Sequence, residues 1–183
     1  VFIDESYCSE RCAIRRRGWA LRGVPSVRKG HHHREVMYSV LLGYTIDGWL
    51  PDCRIKQGSF DGDEFIAFIR ESALPYTTPC PGPRSVLMMD NCNTHNRNIL
   101  REMCKPYGVL VEFLPAYCPF ANPIEPSFGL LKHWIRRHWK EMPVYSASSD
   151  LRSAFERFMR LAYNSWGEGV EHSKLFRKAG VTV

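Results

Sequence analysis

Short apolar runs, set off by polar and turn-forming stretches, dominate the first two thirds of the chain. Residues 1–3, 36–45, 85–89 and 109–114 are too short or too evenly apolar for an amphipathic helix. They predict strands of a sheet covered on both faces. The more polar 13–21, punctuated by Gly18 and Trp19, reads as a further strand, and 52–57 as another after a turn at Asp47-Gly48. Elsewhere the period changes. Acidic residues at 61–64 open a helical pattern of Phe65, Ile66, Phe68 and Ile69, which predicts a helix to about residue 74. Four prolines between 75 and 84 require a loop. Helices are expected over 94–107, 126–140 and 147–164, the last with Leu151, Phe155, Phe158, Met159 and Ala162 at helical spacing.

Strands first, then strands alternating with helices, predict an α/β fold with a mixed central β-sheet flanked by α-helices. The 183 residues suit one domain, with 1–140 as its core and 141–183 as a helical extension of the same domain. A hydrophobic content of 44% and a charged content of 24% are globular values and argue against disorder or a collagen-like chain. No apolar run approaches the ~20 residues of a membrane span. No basic-then-apolar leader precedes Asp4, so the start is read as lying inside a folded unit.

Charge and cysteine add two expectations. The net charge of +6 is uneven: residues 11–34 hold eight Lys or Arg, Arg15, Arg16 and Arg17 among them, and no acid. Lys132, His133, Arg136, Arg137, His138 and Lys140 form a second basic cluster on an expected helix. Such stretches are the footprint of a polyanion, most often nucleic acid, although a solvated basic face is the plainer reading. Trp19, inside the first stretch, would stack on a base or, more ordinarily, enter the core. The seven cysteines are scattered and odd in number, which fits reduced thiols in an intracellular compartment. Cys8-x3-Cys12 with His31, His32 and His33 suggests zinc, but no second pair closes a tetrahedron at the usual spacing.

Three acids stand out by position. Asp4 and Asp90 each follow an apolar run, so both are expected at strand ends facing one crevice. Glu125 precedes Pro126, a residue suited to a first helical turn, which sets Glu125 at a helix N-terminus. Singly, each has a bland reading: a strand-terminal Asp forms turns, and a Glu at a helix start answers the dipole.

The flanking residues change the weight. Phe2-Ile3-Asp4-Glu5-Ser6, Asp90-Asn91-Cys92-Asn93-Thr94-His95 and Leu114-Pro115-Ala116-Tyr117-Cys118-Pro119-Phe120-Ala121-Asn122-Pro123-Ile124-Glu125 follow in that order, with 34 residues between Asp90 and Glu125. These words resemble the catalytic domain of mariner-like DDE transposases, together with related bacterial insertion-sequence and fungal pogo-like enzymes. The resemblance runs from about residue 2 to 140, and Gly18-Trp19-Ala20 looks like the family's second strand. The closing Leu175-Phe176-Arg177-Lys178-Ala179-Gly180 looks fungal.

The resemblance implies a ribonuclease-H-like fold of the retroviral-integrase superfamily. It implies Asp4, Asp90 and Glu125 as catalytic metal ligands for two Mg2+ or Mn2+ ions, Asp4 bridging them. The implied activity is cleavage of double-stranded DNA at transposon ends, then strand transfer into target DNA. Two ions ~3.5–4 Å apart would activate the attacking oxygen and stabilise the leaving one. Three converging carboxylates would otherwise repel one another. His95 is expected to contact the scissile strand or orient Asn91, and Asn122 to cap the helix of Glu125. Glu5 should face away from Asp4 if the strand continues. Lys132 and Arg136, on roughly the face of Glu125, are candidate phosphate contacts with Arg15, Arg16 and Arg17. Dimerisation is common in such systems, and a DNA substrate implies the nucleus in a eukaryote or the cytoplasm in a bacterium.

The chain departs from the pattern at Cys118, where relatives carry Ser, at Phe120, where they carry Asp, and at Phe128, where an aromatic, usually Trp, stands. None is an implied metal ligand. The helix-turn-helix region that precedes such domains is expected to be absent. A non-catalytic DNA-binding or assembly module descended from a transposase is the alternative, and a ribonuclease H fits the motifs less well.

Overall fold

The computed structural model describes residues 1–9, 12, 19–26, 37–92, 95–116, 118–139, 151–167 and 169–182. Five strands, β1 (Phe2–Ser9), β2 (Met37–Thr45), β3 (Gly48–Gln57), β4 (Val86–Met89) and β5 (Leu110–Phe113), form one sheet in the order β3-β2-β1-β4-β5. β1, β2 and β3 pair antiparallel, whereas β4 and β5 run parallel to β1. The sheet is therefore mixed, as expected, with its antiparallel half joined to its parallel half at β1.

Two strands are longer than their apolar runs. β1 continues past Asp4 because β2 pairs along all of it, from Phe2 opposite Tyr44 to Ser9 opposite Met37. Asp4 is thus inside a strand, not at its end. β3 begins at Gly48, directly after a two-residue turn, where φ is +122° and a side chain would be strained. Of the strand expected over 13–21, residues 13–18 lie outside the described residues. Trp19, Ala20 and Leu21 are exposed and not in a strand, so Trp19 is not a core residue. Among the described residues β1 pairs with β2 along its whole length and with β4 only at Phe2 and Ile3.

The helices follow their capping chemistry. Asp61 caps α1 (Gly62–Phe68), accepting from the Glu64 N–H while the Glu64 carboxylate accepts from the Asp61 N–H. The turns continue through a wider π-helical stretch, Ile69–Ala73, to a tight turn holding Pro75. Asn96, not residue 94, caps α2 (Arg97–Cys104). α3 (Ile124–His138) starts two residues before Pro126, and α4 (Leu151–Ser165) matches the described part of the helix expected over 147–164, of which 147–150 lie outside the described residues. A last helix, α5 (His172–Lys178), was not anticipated. It is only two turns long, and its apolar side rests on Phe176, buried in edge-to-face contact with Phe2.

Each face of the sheet carries its own core. On one, Phe2, Cys8, Val40, Leu42 and Tyr44 meet Ile124, Phe128, Leu131 and Ile135 of α3, with Phe155, Phe158, Met159 and Ala162 of α4 behind. On the other, Ile3, Leu41, Leu87, Met89 and Val111 meet Phe65 and Phe68 of α1 and Leu100 and Cys104 of α2. Adjacent residues of β1 thus face opposite layers.

Candidate active site

The register of β1 against β4 builds the site. Phe2 pairs with Met88 and Ile3 with Met89, and there β4 stops. Asp4 and Asp90 each follow the last β1–β4 pair, so they stand side by side where β4 ends, Asp4 still paired with Leu42 of β2. Among the described residues no strand pairs with β1 on that side beyond Ile3, which opens the crevice onto which Asp4 looks from within its strand. Phe2, Asp4 and Cys8 share the α3 face. Asp4 therefore looks toward the start of α3, where Glu125 lies in the first turn. Asp4, Asp90 and Glu125 line one cleft of about 530 Å3, with Asn91, Cys92, Cys118 and Asn122 around them.

Asp4 is held at both oxygens. The Glu5 N–H donates to Oδ1 at 2.7 Å, and the Asn122 amide Nδ2 donates to Oδ2 at 2.9 Å. Asn122 is buried, and its Oδ1 accepts from the Ile124 N–H at 3.4 Å, so one side chain ties Asp4 to the helix that carries Glu125. Asn122 was expected to cap the helix, but the N-cap is Pro123 and Asn122 reaches the Ile124 N–H from one residue earlier; the bond to Asp4 was not anticipated. Burial pushes the Asp4 carboxyl up to about 7, the Glu5 N–H opposes this, and the charges of Asp90 and Glu125 add to the rise.

Asp90 has the opposite surroundings. Its side chain is half exposed, its Oδ1 accepts from the Cys92 N–H at 3.3 Å, and His95 Nδ1 stands 3.0 Å from the same oxygen. The histidine approach lies off the ring N–H direction, a polar contact and not an aligned hydrogen bond. His95, ahead of the Cys92 N–H, holds the Asp90 carboxyl below its usual range. The imidazole is buried and stacks on Phe65 of α1 with centroids 3.9 Å apart. His95 thus sits buried beside Asp90, where it suits orienting that carboxylate. Nothing in the sequence pointed to Phe65, 30 positions away. Glu5 faces the other layer, near His95, Glu64 and Lys56, and burial raises its carboxyl.

Of the expected DNA contacts, Lys132 is half-buried and Arg136 exposed on α3, and neither lines the cleft. Arg15, Arg16 and Arg17 lie outside the described residues. His31, His32 and His33 lie outside them too, which leaves Cys8 and Cys12 of the zinc pattern.

The donor set fits a hard divalent cation: carboxylate oxygens from three separate elements meet one open cleft. The charges of Asp90 and Glu125, which add to the rise of the Asp4 carboxyl, are ones a cation in the cleft would answer. The carboxylates share the cleft without closing on one point. Among the described residues no three His, Cys, Asp or Glu side chains stand close enough to form a ready coordination shell.

Residues 1–143 match the family model described as DDE superfamily endonuclease. No curated protein matches the chain. In fold it is similar to the protein of the Mos1 strand transfer complex, with a TM-score of 0.57 and 13% identity over 98% of this chain and 50% of that one. It is also similar to the pre-cleavage Mos1 transpososome (TM-score 0.53, 16% identity, 100% and 56% covered). A third is the Mos1 mariner paired end complex with Mn (TM-score 0.51, 14% identity, 98% and 55% covered). The chain spans about half the length of these chains. Such likeness bears out the mixed α/β, ribonuclease-H-like fold expected from the sequence. The match covers the sheet, the cleft and all of α3, and by it the chain belongs to the DDE superfamily endonuclease family.

Proposed function

We propose that this chain is the catalytic domain of a mariner-like transposase, a divalent-metal-dependent nuclease and strand transferase acting on double-stranded DNA. The observation that carries the reading is one cleft lined by Asp4, Asp90 and Glu125, from three different elements of a DDE endonuclease fold. In this reading the three carboxylates hold Mg2+ or Mn2+, two ions in the full complex. Those ions supply charge for the phosphodiester in the transition state and lower the pKa of the attacking oxygen. Asn122 keeps Asp4 turned toward Glu125, and His95 with the Cys92 N–H keeps Asp90 ionised and aimed at the cleft. Lys132 and Arg136, with Arg15, Arg16 and Arg17, are proposed to meet the phosphate backbone outside the cleft, whereas Asn122, also a candidate DNA contact, is buried in the cleft wall and bonded to Asp4. The paired-end and strand-transfer complexes among the similar structures support DNA as partner and a dimer as the working form. A eukaryotic source would place the protein in the nucleus.

The test is supercoiled plasmid or element-end DNA with Mn2+, for wild type, Asp90→Asn and Glu125→Gln. Nicking that needs Mn2+ and is lost by at least a hundredfold in both variants is expected. Full nicking by Asp90→Asn would sink the assignment. Salt-dependent DNA binding without cleavage, by a protein whose melting does not respond to Mn2+, would favour a non-catalytic module.

A further inference from the structure

α2 and β5 bring two arginines together beside the cleft, on the side away from α3. Arg97 opens α2 and Arg101 follows one turn later, so both side chains leave the same face of the helix. Both lie over one ring: the guanidinium carbon of Arg97 is 4.9 Å and that of Arg101 5.8 Å from the Phe113 centroid. Phe113 is the last residue of β5 and pairs with Met89, so it stands level with the residue just before Asp90. Leu114 and Pro115, which follow it, line the cleft itself. Phe113 packs against the core beneath α1 and α2, whereas Lys132 and Arg136 are carried by α3 on the other face of the sheet. We propose that Arg97 and Arg101 form a phosphate clamp on this second rim, so that a DNA backbone lying across the carboxylates is held from both faces of the sheet.

The clamp rests on DNA being the substrate, and its chemistry on how the two cations are held. Among the described residues no carboxylate lies within ion-pair distance of either guanidinium, while Glu102, on the same helix, faces Lys105 at 3.9 Å. Phe113 is a neutral partner. Its ring face attracts a cation through the quadrupole and restrains it, yet leaves the positive charge open to a polyanion. Arg101 is held further by its Nε, which donates to the Val111 carbonyl at 3.5 Å on the free edge of β5, so its two Nη groups remain for a ligand. Both side chains are exposed. A guanidinium restrained in this way gives up less rotamer freedom on meeting a phosphate than a solvated one does. Its planar fork also offers parallel N–H donors to the phosphate oxygens. Two forks set one helical turn apart suit successive phosphates of one strand better than a single anion.

The test reads DNA binding in EDTA, where no metal-dependent step contributes. Anisotropy of a fluorescein-labelled duplex is followed across a potassium chloride series for wild type, Arg97→Gln, Arg101→Gln and the double variant. Lys178→Gln, at an exposed cation on α5, supplies the matched loss of charge. Each arginine variant is expected to weaken binding roughly five- to tenfold and to lower the slope of log K against log salt by about 0.9, the double variant by about 1.8. Lys178→Gln should keep the wild-type slope, and thermal melts should show every variant folded. Asp90→Asn should lose nicking and keep at least the wild-type slope, so the clamp and the nuclease reading stand or fall separately. Arginine variants whose slopes fall no further than that of Lys178→Gln would overturn the clamp even where wild type nicks DNA. A wild type that binds no duplex at the lowest salt would overturn it as well.

Discussion

Replacing Asp4 by Asn should stabilise the metal-free protein at high pH and leave it unchanged or slightly weaker in acid. The folded Asp4 carboxyl titrates at about 7 and the unfolded one at 3.8. Between those values the folded state binds more protons than the unfolded state, so stability falls as pH rises through the window. Across the whole window the loss is about 4 kcal/mol, of which about 1–2 kcal/mol has gone by pH 5. Asparagine removes that loss but brings a cost. Asp4 accepts from two donors, the Glu5 N–H and Asn122 Nδ2, and an amide has only one acceptor oxygen to offer them. The misplaced donor costs about 1–2 kcal/mol. The net expectation is near parity at pH 5 and an advantage of about 2–3 kcal/mol at pH 8.5, or about 4–12 °C in melting temperature. Thermal melts of both proteins in EDTA at the two pH values, followed by Mn2+ titration at pH 7.5, make the assay. Mn2+ should raise the wild-type transition and leave Asp4→Asn almost unmoved. An Asp4→Asn protein that gains nothing over wild type between pH 5 and 8.5 would refute the account of Asp4 as a buried, mutually repelled carboxylate.

Asn122→Ala removes the donor to Asp4 and the acceptor for the Ile124 N–H, and should cost about 2 kcal/mol in denaturant unfolding. Added Mn2+ should recover less of the transition than in wild type, because Asp4 is no longer tied to the helix of Glu125. His95→Ala empties the space under Phe65 and frees Asp90, with about 2–3 kcal/mol lost at pH 7. Asp90 is depressed in the folded protein, so its contribution is present above 3.8 and lost as pH falls below it; the gap between variant and wild type should narrow in that range. Gly43→Ala tests packing away from the site. A Cβ there would lie 2.6 Å from Leu50 Cδ1, a buried side chain with little room to move, and melts should show about 1–3 kcal/mol of destabilisation.

How far the sequence reaches can be seen residue by residue. The apolar runs at 36–45 and 85–89 found β2 and β4 because buried strands need such runs wherever they sit. The run at 1–3 found only the start of β1, since Asp4 to Ser9 is made a strand by pairing with β2, a long-range partner invisible to local pattern. The strand expected over 13–21 fails at its described end, where Trp19, Ala20 and Leu21 lie exposed outside the sheet, because local propensity makes no strand without a partner to pair with. Asp90 and Glu125 could be found because each sits at a boundary of an element, where spacing and turn chemistry speak. Asn122 was read as a cap, from its position, and its bond across 118 positions to Asp4 was not legible. Phe65 under His95 left no signal at all, being a core residue of α1 in every local respect.

The placement of the cleft follows from the sheet itself. β1 and β4 are parallel neighbours, yet the chain leaves β1 toward β2 on one side and leaves β4, through α2, toward β5 on the other. Connections that diverge in this way leave a crevice outside the strand ends, where side chains from both strands are accessible. β4 then decides how deep the crevice reaches. It has only four residues and ends opposite Ile3, while β1 runs on to Ser9 along β2. Asp4 is therefore buried on the β2 side and open on the other, which explains how a mid-strand acid can be raised by burial and still line a cleft. Asp90 is freer because it lies past its own strand, and it relies on His95 and the Cys92 N–H for orientation. Glu125 completes the set because α3 packs its apolar stripe of Ile124, Phe128, Leu131 and Ile135 against the β1 face, which brings its first turn to the crevice mouth. One strand ending early, one running long and one helix anchored by Asn122 thus make three acids share a cleft. The same placement accounts for the raised Asp4 carboxyl, whereas Asp90, freer of the sheet, is held low by His95.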